Sequence, residues 1–286
     1  KYTHIADDTT LVITAESTTH LQQLAQTKLN NLINYFQDNN LVPNATKTNY
    51  TIFYPPKTKL QLNINTTELD QNPKSKLLGV IVEEKFKHHH TISNIIKKLQ
   101  PIIHMLRHAT KALPTYKMKD IYYMHAFPHL IGAITVWGTN DRTKTYIQPI
   151  IKAQKKILRI IKNLPPRSHT KPIMTELKIL NVLNLYTLRV CLEMHPFIYP
   201  NPNTKTHRPE HDHNYIKATQ IHQYPTRYAQ QQHQHIPNKY MHTKTTDSPN
   251  MENYTKINSK IWNTLPQKLK ENESLERFKK ELRTYL

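Results

Sequence analysis

At about residue 90 the spacing of apolar residues changes, and that change limits what the chain can build. Before it, apolar and β-branched residues alternate or cluster in short runs. After it they recur every third or fourth position, as on the buried face of a helix. Residues 2–14 hold two β-branched runs around Asp7-Asp8, which predicts a hairpin with the acids at its tip. Leu21, Leu24, Leu29, Leu32, Ile33 and Phe36 predict a helix over 17–38, with Ser17 or Thr18 as its cap. Strands are expected near 49–54, 59–64 and 76–82, with a turn from Glu68 to Lys74.

Beyond residue 90, Ile92, Ile95, Ile96, Leu99, Ile103 and Leu106 share one helical face, with a kink expected at Pro101. Further helices are expected at 114–125, 129–137, 143–163, 171–180 and 184–195, the one at 143–163 stopped by Pro165-Pro166. Residues 196–248 are rich in Pro, His, Gln, Asn and Thr and poor in aliphatics, which predicts a flexible linker. A terminal pair of helices follows, one around Ile257, Ile261, Trp262 and Leu265. The other carries Leu275, Phe278 and Leu282 behind a Ser274 cap. The expected fold class is α+β, with a small antiparallel sheet and one helix first and a mostly helical part after it.

Charge narrows the function. Against 20 Asp and Glu the chain carries 40 Lys and Arg, a formal net charge of +20. Such a balance attracts polyanions, of which nucleic acid is the commonest; a compositional bias toward Asn, Thr, Lys, Ile and His is the plainer source of the same excess. The single cysteine, Cys191, excludes a disulfide framework or a cysteine zinc cluster within the chain. His88-His89-His90 are consecutive and cannot all face one ion, and the histidines of 196–248 have no cysteine partners. No apolar run approaches the roughly 20 residues that a membrane span needs.

One feature points to chemistry. Nucleotidyl transfer uses two hard cations about 4 Å apart, held by carboxylates. Adjacent acids on a tight hairpin, Ala6-Asp7-Asp8-Thr9, suit this, although an isolated Asp-Asp is commonly just a polar turn. The segments behind the pair give it context. They are Leu41-Val42-Pro43-Asn44-Ala45-Thr46-Lys47-Thr48 before Ile52-Phe53, Lys76-Leu77-Leu78-Gly79-Val80, and His88 to His90 before a helix. Ile131-Gly132 with Trp137-Gly138 comes next, then Trp262-Asn263-Thr264-Leu265-Pro266, then Ser274-Leu275-Glu276-Arg277-Phe278-Lys279.

In kind and order these segments resemble the end of the reverse transcriptase of non-LTR (LINE, Jockey- or CR1-like) retrotransposons, over nearly the whole chain. Ile5 and Leu77 stand where that family has aromatic residues. The resemblance implies a truncated antiparallel palm sheet in residues 1–86, a helical thumb-like region in 87–195, a linker in 196–248 and the terminal helical pair in 249–286. It implies Asp7 and Asp8 as magnesium-binding catalytic carboxylates of a two-metal site, and Lys47 near the incoming triphosphate. It implies Leu78 and Gly79 at a primer grip, where the plainer reading of Gly79 is a bulge. Lys152, Lys155, Lys156 and Arg159 would face duplex on a basic thumb helix; their plainer reading is a solvated outer face. The partners implied are an RNA template, a DNA primer, the RNA–DNA duplex and deoxynucleotides, in the nucleus, with no membrane.

The family's first catalytic aspartate falls before Lys1, so residues 1–286 are expected to be inactive alone. The alternatives are a non-catalytic nucleic-acid-binding remnant of such an element, and a basic helical structural protein with no hairpin at 2–14.

Overall fold

In the computed structural model, residues 2–5, 8–53, 59–77, 79–85, 87–139, 141, 143–199, 215–217, 240–242 and 257–286 are described. They form a mixed α and β protein that divides into two units, residues 1–94 and 95–286. Strand β1 (Tyr2–Ile5) pairs antiparallel with β2 (Asp8–Leu11), Ile5 lying opposite Asp8. The hairpin expected at the start of the chain is present, at odds with the wholly helical alternative. Ala6, Asp7 and Leu78 lie outside the described residues, as does most of the expected linker.

Helix α1 (Thr18–Asp38) begins where the cap signal put it. Ser17 is extended, and its hydroxyl accepts the His20 N–H at 3.2 Å. Ala25, Leu29 and Ile33 form its buried stripe, packed with Ile52, Leu60, Leu62, Ile64 and Leu69 into the core of the first unit. Strand pairing here is fragmentary. β3 (Asn49–Tyr50) runs parallel to β6 (Asp70–Gln71), and β4 (Asn63–Ile64) pairs antiparallel with β5 (Thr67–Glu68). β7 (Lys74–Leu77) and β8 (Val80–Glu83) make a separate antiparallel hairpin where one strand was expected.

Two-stranded pairs, not one continuous sheet, therefore carry the β structure of the described residues. The reason is visible on α1. Gln22 both donates to the Gln61 carbonyl and accepts the Gln61 N–H, and Gln26 does the same for Asn63 at 2.9 Å in each direction. Two side-chain amides one helical turn apart thus stand where a neighbouring strand would stand. The backbone edge is satisfied without β pairing.

α2 (His89–Ala109) contains Pro101, and the boundary between the units falls inside it. Glu83 accepts the His90 N–H at 2.9 Å at its start, an acidic side chain where the helix leaves N–H groups unpaired.

The second unit is helical. α3 (Thr115–Ile121) passes through a π turn (Tyr122–Ala126) into α4 (Phe127–Ile131), and α5 (Ile134–Trp137) follows. After a 3₁₀ turn at Thr145–Ile147 come α6 (Gln148–Ile161), α7 (Lys171–Leu177) and α8 (Val182–Ile198). α8 is the central element, with Leu185, Tyr186, Val190, Cys191 and Met194 buried. Burial pushes the Cys191 thiol up to about 12, so it is a packed and unreactive residue. The terminal segment comprises α9 (residues 257–263), α10 (Gln267–Lys270) and α11 (Leu275–Tyr285). Strands β9 (Tyr215–Lys217) and β10 (Tyr240–His242) pair antiparallel within the segment expected to be linker.

The terminal helices join the second unit through α8. His195 is buried beside Phe278, ring centroids 4.7 Å apart, and near Trp262 at 6.4 Å. One ring nitrogen lies 2.8 Å from the Asn272 carbonyl. Burial holds the His195 pKa below its ordinary 6.5, with the Asn272 carbonyl working in the opposite sense. The unfolded chain therefore takes up this proton first as pH falls. The stability tied to a neutral His195 is complete above 6.5 and is lost progressively below it. Thermal melting of the full chain at neutral pH and at about 5.5 should show a smaller acid-induced drop for His195→Phe than for the native protein. Equal drops would exclude His195.

Candidate nucleic-acid interface

The first group of expected site residues lies in the first unit. With Ile5 opposite Asp8, only Ala6 and Asp7 separate the two strands. Asp8 is therefore the first residue of β2. Lys47 is exposed at the end of a 3₁₀ turn, Ala45–Lys47. Asn44 organises that turn: its Oδ1 accepts the Lys47 N–H at 3.2 Å and the Thr46 hydroxyl at 2.7 Å. Thr48 donates back to the Asn44 carbonyl at 2.8 Å. The Asn-x-x-Lys-Thr spacing is thus a self-capped turn that projects a lysine. Gly79 sits between β7 and β8 with φ +85°, and the space a Cβ would fill there is open. Turn geometry, not crowding, is what calls for glycine.

The second group lies on α6, in the second unit, and the helix divides it. Lys152 and Lys156, four residues apart, are exposed. Lys155 lies on a different face, with Gln148, Ile151 and Gln154, where it lines a large groove. Arg159 is partly spent on structure, its Nε donating to the Ser168 carbonyl at 2.8 Å.

Gln154, which the spacing of apolar residues did not single out, fixes the groove floor. It is 1% exposed. Its Nε2 donates to the Tyr122 hydroxyl at 3.1 Å and to the Leu180 carbonyl at 2.9 Å, while its Oε1 accepts the Val182 N–H at 3.0 Å. The π turn at Tyr122 and the start of α8 are held through this one amide. A buried, fully satisfied polar side chain of this kind makes the floor rigid.

Among the described residues, no three His, Cys, Asp or Glu side chains gather where they could hold one metal ion. No helix among them is long and apolar enough to cross a membrane. Comparison of the chain with family models, with curated proteins and with solved structures gives no match.

Proposed function

We propose that the chain is the C-terminal part of the reverse transcriptase of a non-LTR retrotransposon, an RNA-directed DNA polymerase. In this reading residues 1–86 end the palm and the helices of 87–195 form its thumb. The observation that carries the proposal is the register of β1 on β2, which leaves Ala6-Asp7 as a two-residue connection and Asp8 at the strand end. Adjacent carboxylates at a tight turn suit a pair of Mg²⁺ ions, and the pairing of Ile5 with Asp8 supports that reading. Asp7 and Asp8 would hold the metal. When bound, it lowers the cost of making the nucleophile and of releasing pyrophosphate.

The protein's own groups supply the rest. Exposed Lys47, held by Asn44, would meet the negative charge of an incoming triphosphate. Lys152 and Lys156 would meet phosphates of the RNA–DNA duplex, giving binding that follows backbone shape and falls with salt. A chain extended upstream through the family's first aspartate should incorporate deoxynucleotides on an RNA template from a DNA primer with Mg²⁺. Residues 1–286 alone should not.

A non-catalytic nucleic-acid-binding remnant is the second reading. It is favoured by the cations of the second unit that lack carboxylate partners among the described residues, since they need no metal chemistry. Duplex binding by the extended chain without any extension would select it.

A further inference from the structure

The second unit contains a trough of about 1240 Å³ bordered by α3, α6, α7, the start of α8 and α11. It exceeds the roughly 300–1,000 Å³ of a small-molecule pocket and is open to solvent. Its charge is one-sided. α11 brings Lys279, Lys280 and Arg283 to one side. Lys119, Lys155, Lys171 and Lys178 line the other elements. Glu276 is the one acidic side chain among the lining residues, and it reaches only Lys279, at 4.0 Å. The other six cations have no carboxylate partner among the described residues; Arg283 makes one long contact, 3.5 Å, to the Tyr123 hydroxyl.

Aromatic surface accompanies the charge. Tyr285 lines the trough and is 56% exposed, at the end of a helix whose Phe278 and Leu282 are buried. Tyr123 also lines it, its hydroxyl donating to the Lys178 carbonyl at 3.4 Å. The floor is fixed by the Gln154 bonds, so the trough is preformed.

We propose that this trough binds a single strand of nucleic acid, its phosphates along the cations of α11, α6 and α7 and a base stacked on Tyr285. A basic concave track with an aromatic platform is how single strands are held without sequence readout. A convex duplex would reach the lips but leave the tyrosine without a partner, since its bases are already stacked. All of its lining residues belong to the second unit, and the proposal does not depend on polymerase activity.

The test uses the full chain and a fluorescein-labelled oligo(dT) of about 15 nucleotides, with anisotropy read across a salt series. Lys279→Gln/Lys280→Gln/Arg283→Gln changes three exposed side chains and keeps the helix core. It should weaken binding at least about tenfold and reduce the slope of log affinity against log salt by about 2, from about 0.7 per lost phosphate contact. Lys97→Gln/Arg107→Gln/Lys111→Gln removes equal charge from exposed positions outside the trough and should change affinity less than about twofold. Tyr285→Ala should weaken binding with the slope unchanged, because stacking releases no counterions.

An equal loss in the control triple variant would overturn the proposal, as bulk charge would then explain binding. So would displacement of the oligonucleotide as readily by polyglutamate or by duplex of the same length.

Discussion

Trp137→Ala should cost the second unit about 3–5 kcal/mol, enough to unfold most of it near body temperature. The indole is fully buried, and its N–H donates to the Gly132 carbonyl at 2.7 Å. That bond spans the break between α4 and α5, where Ala133 is left-handed with φ 49°. Truncation would leave a ring-sized void and an unpaired carbonyl. The surroundings cannot collapse to fill it. Gly138, the next residue, is already so close-packed that an added Cβ would lie 2.3 Å from the Ile134 carbonyl oxygen and 2.7 Å from the Tyr186 ring. Trp137→Phe should lose only about 1–2 kcal/mol, keeping an aromatic ring but not the donor. Urea denaturation followed by far-UV circular dichroism separates the two variants. A cost below about 1 kcal/mol for the alanine variant would mean that Trp137 is not the wedge its burial implies.

The same segment shows what the sequence could and could not reveal. A helix was expected over 129–137, and Gly132 was its only hint of interruption. Alanine is the best helix former, so nothing local marks Ala133 as left-handed. The indole-to-carbonyl bond and the packing around Gly138 impose it. By contrast, α1 was legible to within a residue, because its apolar stripe and its Ser17 cap are both local signals. Residues 59–64 alternate as a strand should, with Leu60, Leu62 and Ile64 buried. Regular pairing covers only Asn63–Ile64, and two glutamine side chains on α1 bond the backbone of Gln61 and of Asn63 itself. No periodicity in hydrophobicity reports a helix acting as a strand's neighbour.

The candidate interface divides in a similar way. The excess of cations on α6 was plain, yet the resemblance gave Lys152, Lys155, Lys156 and Arg159 one common role. Tertiary packing separates them. Lys155 turns to the trough and Arg159 pins the loop at Ser168. The cations of α11 were overlooked because their role appears only when that helix packs on α8, some 90 residues earlier in the chain. One signal was available: Lys279, Lys280 and Arg283 lie between Phe278 and Leu282 and beyond on a short amphipathic helix, so one face is core and the other strongly basic.

Asp7→Asn, made in the upstream-extended chain, should lower primer extension by about 100- to 1000-fold, or about 3–4 kcal/mol of barrier. Asparagine is nearly the same size and is well tolerated in two-residue hairpin turns, so the pairing of Ile5 with Asp8 should survive. What is lost is one negative charge. A neutral amide oxygen is a weaker ligand for a hard divalent cation, and two ions held close together depend on carboxylates to offset their mutual repulsion. Duplex binding through Lys152 and Lys156 should not change, because both stand on α6 and not on the hairpin. Rapid single-nucleotide incorporation and equilibrium binding, measured on the same preparation, therefore move apart: the first collapses while the second holds. Extension left intact by Asp7→Asn would remove the metal site from this hairpin. A parallel loss of binding would mean that the variant had disturbed the fold. Only loss of incorporation with binding retained identifies Asp7 by its charge rather than by its place in a turn.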